Sequence, residues 1–224
     1  NECIKEVKSK LKLVPNSLYL LNYHAMACSA LKRDNEALLS YQKISTLDPT
    51  LAGPYYNMGI ILKRNGRVEE AIGCYERAIS LKSDYVQAYN NLGVLYKDNK
   101  EYENAIEMFT KVRELQPDHQ NSYYNLALIK QEQGLNEQAI ELFFQVLDLN
   151  PEHNDAKYYM ALIKKDIGQL AESERYLQEI LKSDKENENA AISLANIFID
   201  SGSYHDAIKC LRGIIKLSPK NRIL

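Results

Sequence analysis

The sequence predicts an all-α solenoid of stacked helix–turn–helix units, and three observations carry that prediction. First, residues of matching size and chemistry return every 34 positions. Tyr55, Tyr89 and Tyr123 share one register, Gly59, Gly93 and Ala127 a second, and Ala71, Ala105 and Ala139 a third. A fixed period of this length marks an array in which each unit buries its apolar face on its neighbours. Second, Pro15, Pro49, Pro117, Pro151 and Pro219 lie on the same grid, with Ser83 and Lys185 at the two remaining points. Proline cannot continue a helix and biases the residue before it out of the helical region, so each grid point ends a helix. Third, a glycine falls midway through most units, at Gly66, Gly134, Gly168 and Gly202, where it can close a helix C-terminus in the left-handed conformation. Lys32 and Lys100 hold that position in two units and make the turn less comfortably.

Taken in order, residues 1–17 read as the second helix of a truncated unit, with Ile4, Val7, Leu13 and Pro15 in register. Whole units follow at 18–51, 52–85, 86–119, 120–153 and 154–187, and the last spans 188–224, its repeat closing at 221. Apolar residues recur at spacings of three and four, as in Ile106, Phe109, Val112 and Leu115, and no strand pattern competes. Ala25, Gly59, Gly93, Ala127, Ala161 and Ala195 share one position on the first helices. Ala37, Ala71, Ala105, Ala139, Ser173 and Ala207 share one on the second. Small residues at both crossing points let the helix backbones approach, and Tyr41, Tyr75, Phe109, Phe143, Leu177 and Leu211 fill the space around them. Leu47, Leu81, Leu115, Leu149 and Leu217 are expected to seal each unit against the next.

Composition narrows the function. A net charge of −2 offers no electrostatic footprint for nucleic acid or an anionic membrane. The stretch from Leu13 to Leu31 lacks charged residues, but Pro15, Asn16, Ser17, Asn22 and His24 interrupt it, so a buried helix explains it better than a membrane span. Cys3, Cys28, Cys74 and Cys210 are scattered without zinc or disulfide spacing, which predicts reduced thiols and an intracellular location, cytoplasmic or nuclear. His24 and Cys28 lie one helical turn apart, two ligands with no third in view, so no metal site is predicted. No phosphate loop, nucleophile elbow or carboxylate pair occurs; neither catalytic residues nor a cofactor are expected. The chain opens on Asn1, which predicts excision from a longer protein. Ile208, Leu211, Ile214 and Ile215 predict further helices after Leu224 or a homo-oligomeric contact through the C-terminal repeat.

Tyr89, Leu92-Gly93, Tyr96, Ala105, Phe109 and Pro117 resemble the tetratricopeptide repeat pattern, and the resemblance covers essentially the whole chain. Val112 stands where that pattern has a small residue, and units 18–51 and 154–187 depart most, through His24, Cys28, Asp34, Ser173-Glu174 and Lys185. The resemblance implies a right-handed superhelix whose first helices line a concave groove and bind a protein or peptide partner. Groove positions would include Asn22, Tyr23 and Met26, then Tyr56, Asn57, Lys63 and Arg64, then Asn90, Asn91 and Lys97. Tyr124, Asn125, Tyr158 and Tyr159 continue the series. Asn57, Asn91 and Asn125 would form a ladder whose amides suit the backbone of an extended peptide. The run Tyr89–Asp98 is most similar to repeats of O-linked GlcNAc and fucose protein transferases, which implies substrate recruitment for a catalytic domain elsewhere. Peroxisomal import receptors are another similar group. The basic residues of a chaperone-type carboxylate clamp are missing, their positions holding residues such as Tyr56, Ile60, Asn91, Asn121 and Asn125.

Overall fold

The computed structural model describes residues 2–217, which form thirteen helices and no strand. They are α1 (Glu2–Leu13), α2 (Leu18–Ala30), α3 (Asp34–Leu47), α4 (Ala52–Arg64), α5 (Val68–Leu81), α6 (Val86–Asp98), α7 (Tyr102–Leu115), α8 (Gln120–Glu132), α9 (Asn136–Leu149), α10 (Asn154–Asp166), α11 (Leu170–Ser183), α12 (Glu188–Asp200) and α13 (Tyr204–Leu217). The fold class is therefore an all-α solenoid. The expectations for Pro219 and for the side chains of Ile214, Ile215 and Leu217 lie outside the described residues.

Every turn inside a helix pair is built alike. Gly66, Gly134, Gly168 and Gly202 have φ between 72° and 79°, and Lys32 and Lys100 adopt 58° and 63°. The residue after each donates its N–H to the carbonyl five positions back, as Arg33 does to Cys28 at 2.8 Å and Arg67 to Leu62 at 3.0 Å. This is the Schellman closure, which satisfies helix-end carbonyls through a left-handed residue. A non-glycine residue there carries strain of roughly 1–2 kcal/mol, which Lys32 and Lys100 bear. Side chains cap several first helices: Ser17 Oγ for α2, His119 and His153 Nδ1 for α8 and α10, and Asn187 Oδ1 for α12. The 34-residue spacing of His119 and His153 thus has a structural use. Burial holds the His119 ring below the usual histidine range, in keeping with a neutral nitrogen that accepts from the Ser122 N–H.

Packing divides the chain into two compact units, Asn1–Pro117 and Asp118–Leu224, and each has its own core. In the first, Tyr75 and Phe109 are wholly buried against the small positions of the preceding helices. A Cβ on Gly59 would lie 2.6 Å from the Tyr75 ring, and one on Gly93 would lie 2.9 Å from the Phe109 ring. In the second, Phe143 and Leu177 fill the same positions beside Ala127 and Ala161. Ser173, which replaces the usual Ala, is buried at no cost in unpaired groups, because its hydroxyl donates to the Ala161 carbonyl at 2.7 Å.

One packing expectation is corrected. Leu47 and Leu149 are 40% and 44% exposed, and Leu115 is also exposed, so these leucines do not seal successive pairs. Ile44, Ala78, Val112, Val146 and Ile180, three positions earlier, are the buried contacts. The leucines share that helix face but are the last helical residue of α3, α7 and α9, at the rim where the chain turns away.

Candidate functional site

In the first unit, α4 and α6 bring Tyr56 and Asn91 together. The Tyr56 ring lies 6.0 Å from that of Tyr75 and 4.8 Å from that of Tyr85, between centroids. Asn91 Nδ2 donates to Tyr56 Oη at 3.3 Å, a bridge between successive first helices. Burial pushes the Tyr56 hydroxyl up, and the Asn91 amide offsets part of that shift. The phenol therefore stays protonated at neutral pH, and its oxygen accepts from Asn91 while its own proton remains available to an acceptor.

The second unit repeats this arrangement. Tyr124 lies 6.0 Å from Phe143 and 5.0 Å from His153, and the three rings stand 68 positions after Tyr56, Tyr75 and Tyr85. Tyr159 adds to the cluster, 6.2 Å from Tyr124 and stacked on Phe143 at 5.9 Å. Tyr158 Oη is 3.3 Å from Ser193 Oγ, the same 35-residue step that links Tyr56 to Asn91. Lys165 and Asp200 form a further α10–α12 contact at 3.5 Å, exposed enough to contribute little. Each unit thus presents, on its first helices, tyrosines seated on a buried ring of the second helix. Aromatic bodies fixed in this way offer contact area at low entropy cost, with one hydrogen-bonding tip.

The remaining predicted residues take different places. Asn57 is half-buried on α4 beside Tyr56. Lys63 and Lys97 are half-buried near the ends of α4 and α6, with Lys97 3.9 Å from Asp98. Asn90 Oδ1 is buried and has no hydrogen-bond partner among the described residues. Asn125 departs from its expected outward placement: it is only 9% exposed, and its amide donates to the Asn121 carbonyl at 2.8 Å within α8. A carbonyl one turn back is the nearest acceptor a helical Asn can reach. On α2, Tyr19 and Tyr23 are exposed with ring centroids 5.0 Å apart, and Met26 is exposed one turn on. Tyr85 and His153, which wall the two tyrosine clusters, lie with His119 on one 34-residue register in the loops that precede first helices; that spacing shows a shared position but not a ring packed on a tyrosine.

A second constellation lies between α2 and α3. One ligand atom each from His24, Cys28 and Glu36 falls within 4.8 Å of the others. Burial lowers the His24 pKa and raises that of the Cys28 thiol. Hydrogen bonds from Lys8 and Arg33 hold the Glu36 carboxyl below the usual range. The sequence places His24 and Cys28 one helical turn apart, and the fold brings Glu36 beside them.

Family models described as TPR repeat and tetratricopeptide repeat match residues 61–100, 84–152 and 160–222. The crystal structure of MamA is 30% identical, with 69% of this chain and 90% of that one aligned at a TM-score of 0.63. The chain belongs to the tetratricopeptide repeat family. No curated protein matches its sequence. Two further structures share the fold. One is YrrB, described as a TPR protein with an unusual peptide-binding site, at 17% identity, 82% and 95% coverage and a TM-score of 0.68. The other is the C-terminal part of a TPR repeat-containing protein from Cytophaga hutchinsonii, at 18% identity, 99% and 91% coverage and a TM-score of 0.80. In this tetratricopeptide chain the small position of the first helix sits directly over the large residue of the second, as Gly59 over Tyr75. The same large residue that fixes the fold is therefore the floor beneath Tyr56, which ties the candidate surface to the repeat signature. No described helix is long and apolar enough to cross a membrane.

Proposed function

We propose that this tetratricopeptide chain is a non-catalytic protein-interaction module that holds an extended peptide or helix of a partner along a groove lined by its first helices. The observation that supports this best is the recurrence of one tyrosine arrangement in both units, Tyr56 with Tyr75 and Tyr85, and Tyr124 with Phe143 and His153. Asn91 bonds Tyr56, Tyr159 packs beside Tyr124, and Tyr158 packs beside Tyr159; half-buried Asn57, Lys63 and Lys97 lie on the same first helices, as do Asn90 and the buried Asn125. Amides and phenols both donate and accept, so they can pair with peptide backbone irrespective of its side chains. YrrB, with its described peptide-binding site, shares the fold with this chain. Repeat boundaries at 18, 52, 86, 120, 154 and 188 belong to the same proposal, as does an intracellular location.

Selection of binders from a displayed random-peptide library, followed by affinity measurement, tests this reading. Tyr56→Ala with Asn91→Ala, or Tyr124→Ala with Tyr158→Ala, is expected to weaken a selected peptide by about 10–30-fold, the scale of a buried aromatic anchor. Glu103→Ala, an exposed change on a second helix, should leave affinity unchanged. Selected peptides that bind both tyrosine variants as tightly as the parent chain would remove the proposal. A second reading, recruitment of substrates to a catalytic domain of a larger enzyme, rests on the resemblance of the run Tyr89–Asp98 alone, since none of the matched families or structures named above is a sugar transferase. Proteins retained by the same face would then carry hydroxyl side chains that a partner domain modifies.

A further inference from the structure

We propose that His24, Cys28 and Glu36 form a binding site for one divalent cation of the zinc type, joining α2 to α3. Three features carry this. The first is the register. At the positions equivalent to His24 the other units have Met58, Leu92, Leu126, Met160 and Leu194, yet His24 is only 6% exposed. Ser40, also buried, stands where the next three units have Cys74, Met108 and Leu142. Burying polar groups in an otherwise apolar register costs free energy unless they are paired, and here several converge on one spot.

The second feature is the tautomer. Ser40 Oγ lies 3.1 Å from the Glu36 carbonyl and 2.8 Å from His24 Nδ1, so when its proton goes to the carbonyl it accepts from Nδ1. In that tautomer Nδ1 carries the ring proton and Nε2 has the free lone pair, with Cys28 Sγ 3.5 Å from Nε2 and 3.9 Å from Nδ1. Metal-bound histidines are held in this manner, with the second ring nitrogen donating to an outer partner. Cys28 Sγ is nearly as close to Nδ1 as to Nε2 and so lies beside the ring; a small turn of the ring or thiol brings Sγ and the Nε2 lone pair onto one cation, at bond lengths of about 2.3 and 2.0 Å.

The third is the carboxylate. Lys8 Nζ donates to Glu36 Oε2 at 2.6 Å and Arg33 Nε to Oε1 at 2.7 Å. Arg33 Nη2 also lies 2.5 Å from Oε1; each carboxylate oxygen has two lone pairs, so one remains on Oε2 for a cation while the two bases fix the orientation of the group. The Glu36 side chain is 33% exposed, so the site reaches solvent on the carboxylate side, and a water entering there would be the fourth ligand. A thiolate, an imidazole and a carboxylate suit a borderline cation better than calcium or magnesium. On binding, the Cys28 thiol proton is released to solvent, and the thiolate and carboxylate together neutralise the cation. Lys8 and Arg33 repel it, so the affinity is lower than that of a four-ligand structural zinc site.

Titration of the chelator-treated protein with Co²⁺, followed by competition with Zn²⁺, tests the site. The expected result is one Co²⁺ per chain with a thiolate-to-cobalt charge-transfer band, displaced by Zn²⁺, and a rise in unfolding temperature on Zn²⁺ addition. Cys28→Ala and His24→Met should abolish the band. His24→Met restores the side chain found at equivalent positions in this fold, Met58 and Met160, and so keeps the core filled. Glu36→Gln and Ser40→Ala should each weaken binding by about tenfold or more. Absence of bound cobalt, a band that survives in Cys28→Ala or His24→Met, or unchanged affinity in Glu36→Gln would overturn the proposal.

Discussion

Replacing Phe143 by Ala is expected to lower stability by roughly 3–5 kcal/mol, the range for emptying a fully buried aromatic site. Phe143 is wholly buried, lies beside Ala127 and Ala161 in one core, and carries Tyr159 stacked on its face. Neighbouring helices are held at fixed spacing by the repeat, so they cannot collapse into the void without breaking their own crossings. The loss should register in urea unfolding followed by circular dichroism. Binding should fall as well, because Tyr124 and Tyr159 both rest on the Phe143 ring. A loss of less than about 1 kcal/mol would show that the core is not built around this residue.

The same substitution at two glycines is expected to have opposite signs. Both Gly59 and Gly73 lie within helices, where alanine is intrinsically better by about 0.8–1.0 kcal/mol. A Cβ at Gly73 meets nothing within 4 Å, so Gly73→Ala should stabilise by up to about that amount. At Gly59 the Cβ would stand 2.6 Å from a Tyr75 ring that has no room to retreat. Overpacking of this kind costs on the order of 1–3 kcal/mol and outweighs propensity, leaving Gly59→Ala destabilised. Ala25 beside Tyr41 and Ala127 beside Phe143 are versions of the crossing built to hold the methyl. Paired urea titrations would expose an error in the register if both variants moved the same way.

The fold was legible because its determinants are local and periodic. Proline and glycine end helices through their own backbone limits, and the alternation of small and large residues at Gly59 and Tyr75 encodes the crossing directly. Four features were not legible. Leu47 and Leu149 were misplaced because periodicity tells which face of a helix a residue occupies but not whether another element covers its last turn. Tyr85 and His153 share a 34-residue register with His119, but spacing does not show that their rings pack on Tyr56 and Tyr124. Asn125 matches Asn57 and Asn91 in sequence, yet its amide turns back to its own helix, and side-chain rotation of that kind has no signature in spacing. Glu36 joins His24 and Cys28 only through the turn at Lys32, which folds α3 back onto α2; a ligand contributed across a turn shows no regular spacing.

The central claim is that the first helices hold the partner, and photo-crosslinking tests it most directly. A library-selected peptide carrying a benzophenone side chain at its centre would be irradiated in complex with the chain, and the attachment sites read by mass spectrometry. Attachment at Tyr56, Asn57 and Asn91, or at Tyr124, Tyr158 and Tyr159, is the predicted result. Attachment confined to the second helices α3, α5, α7, α9 and α11 would contradict it.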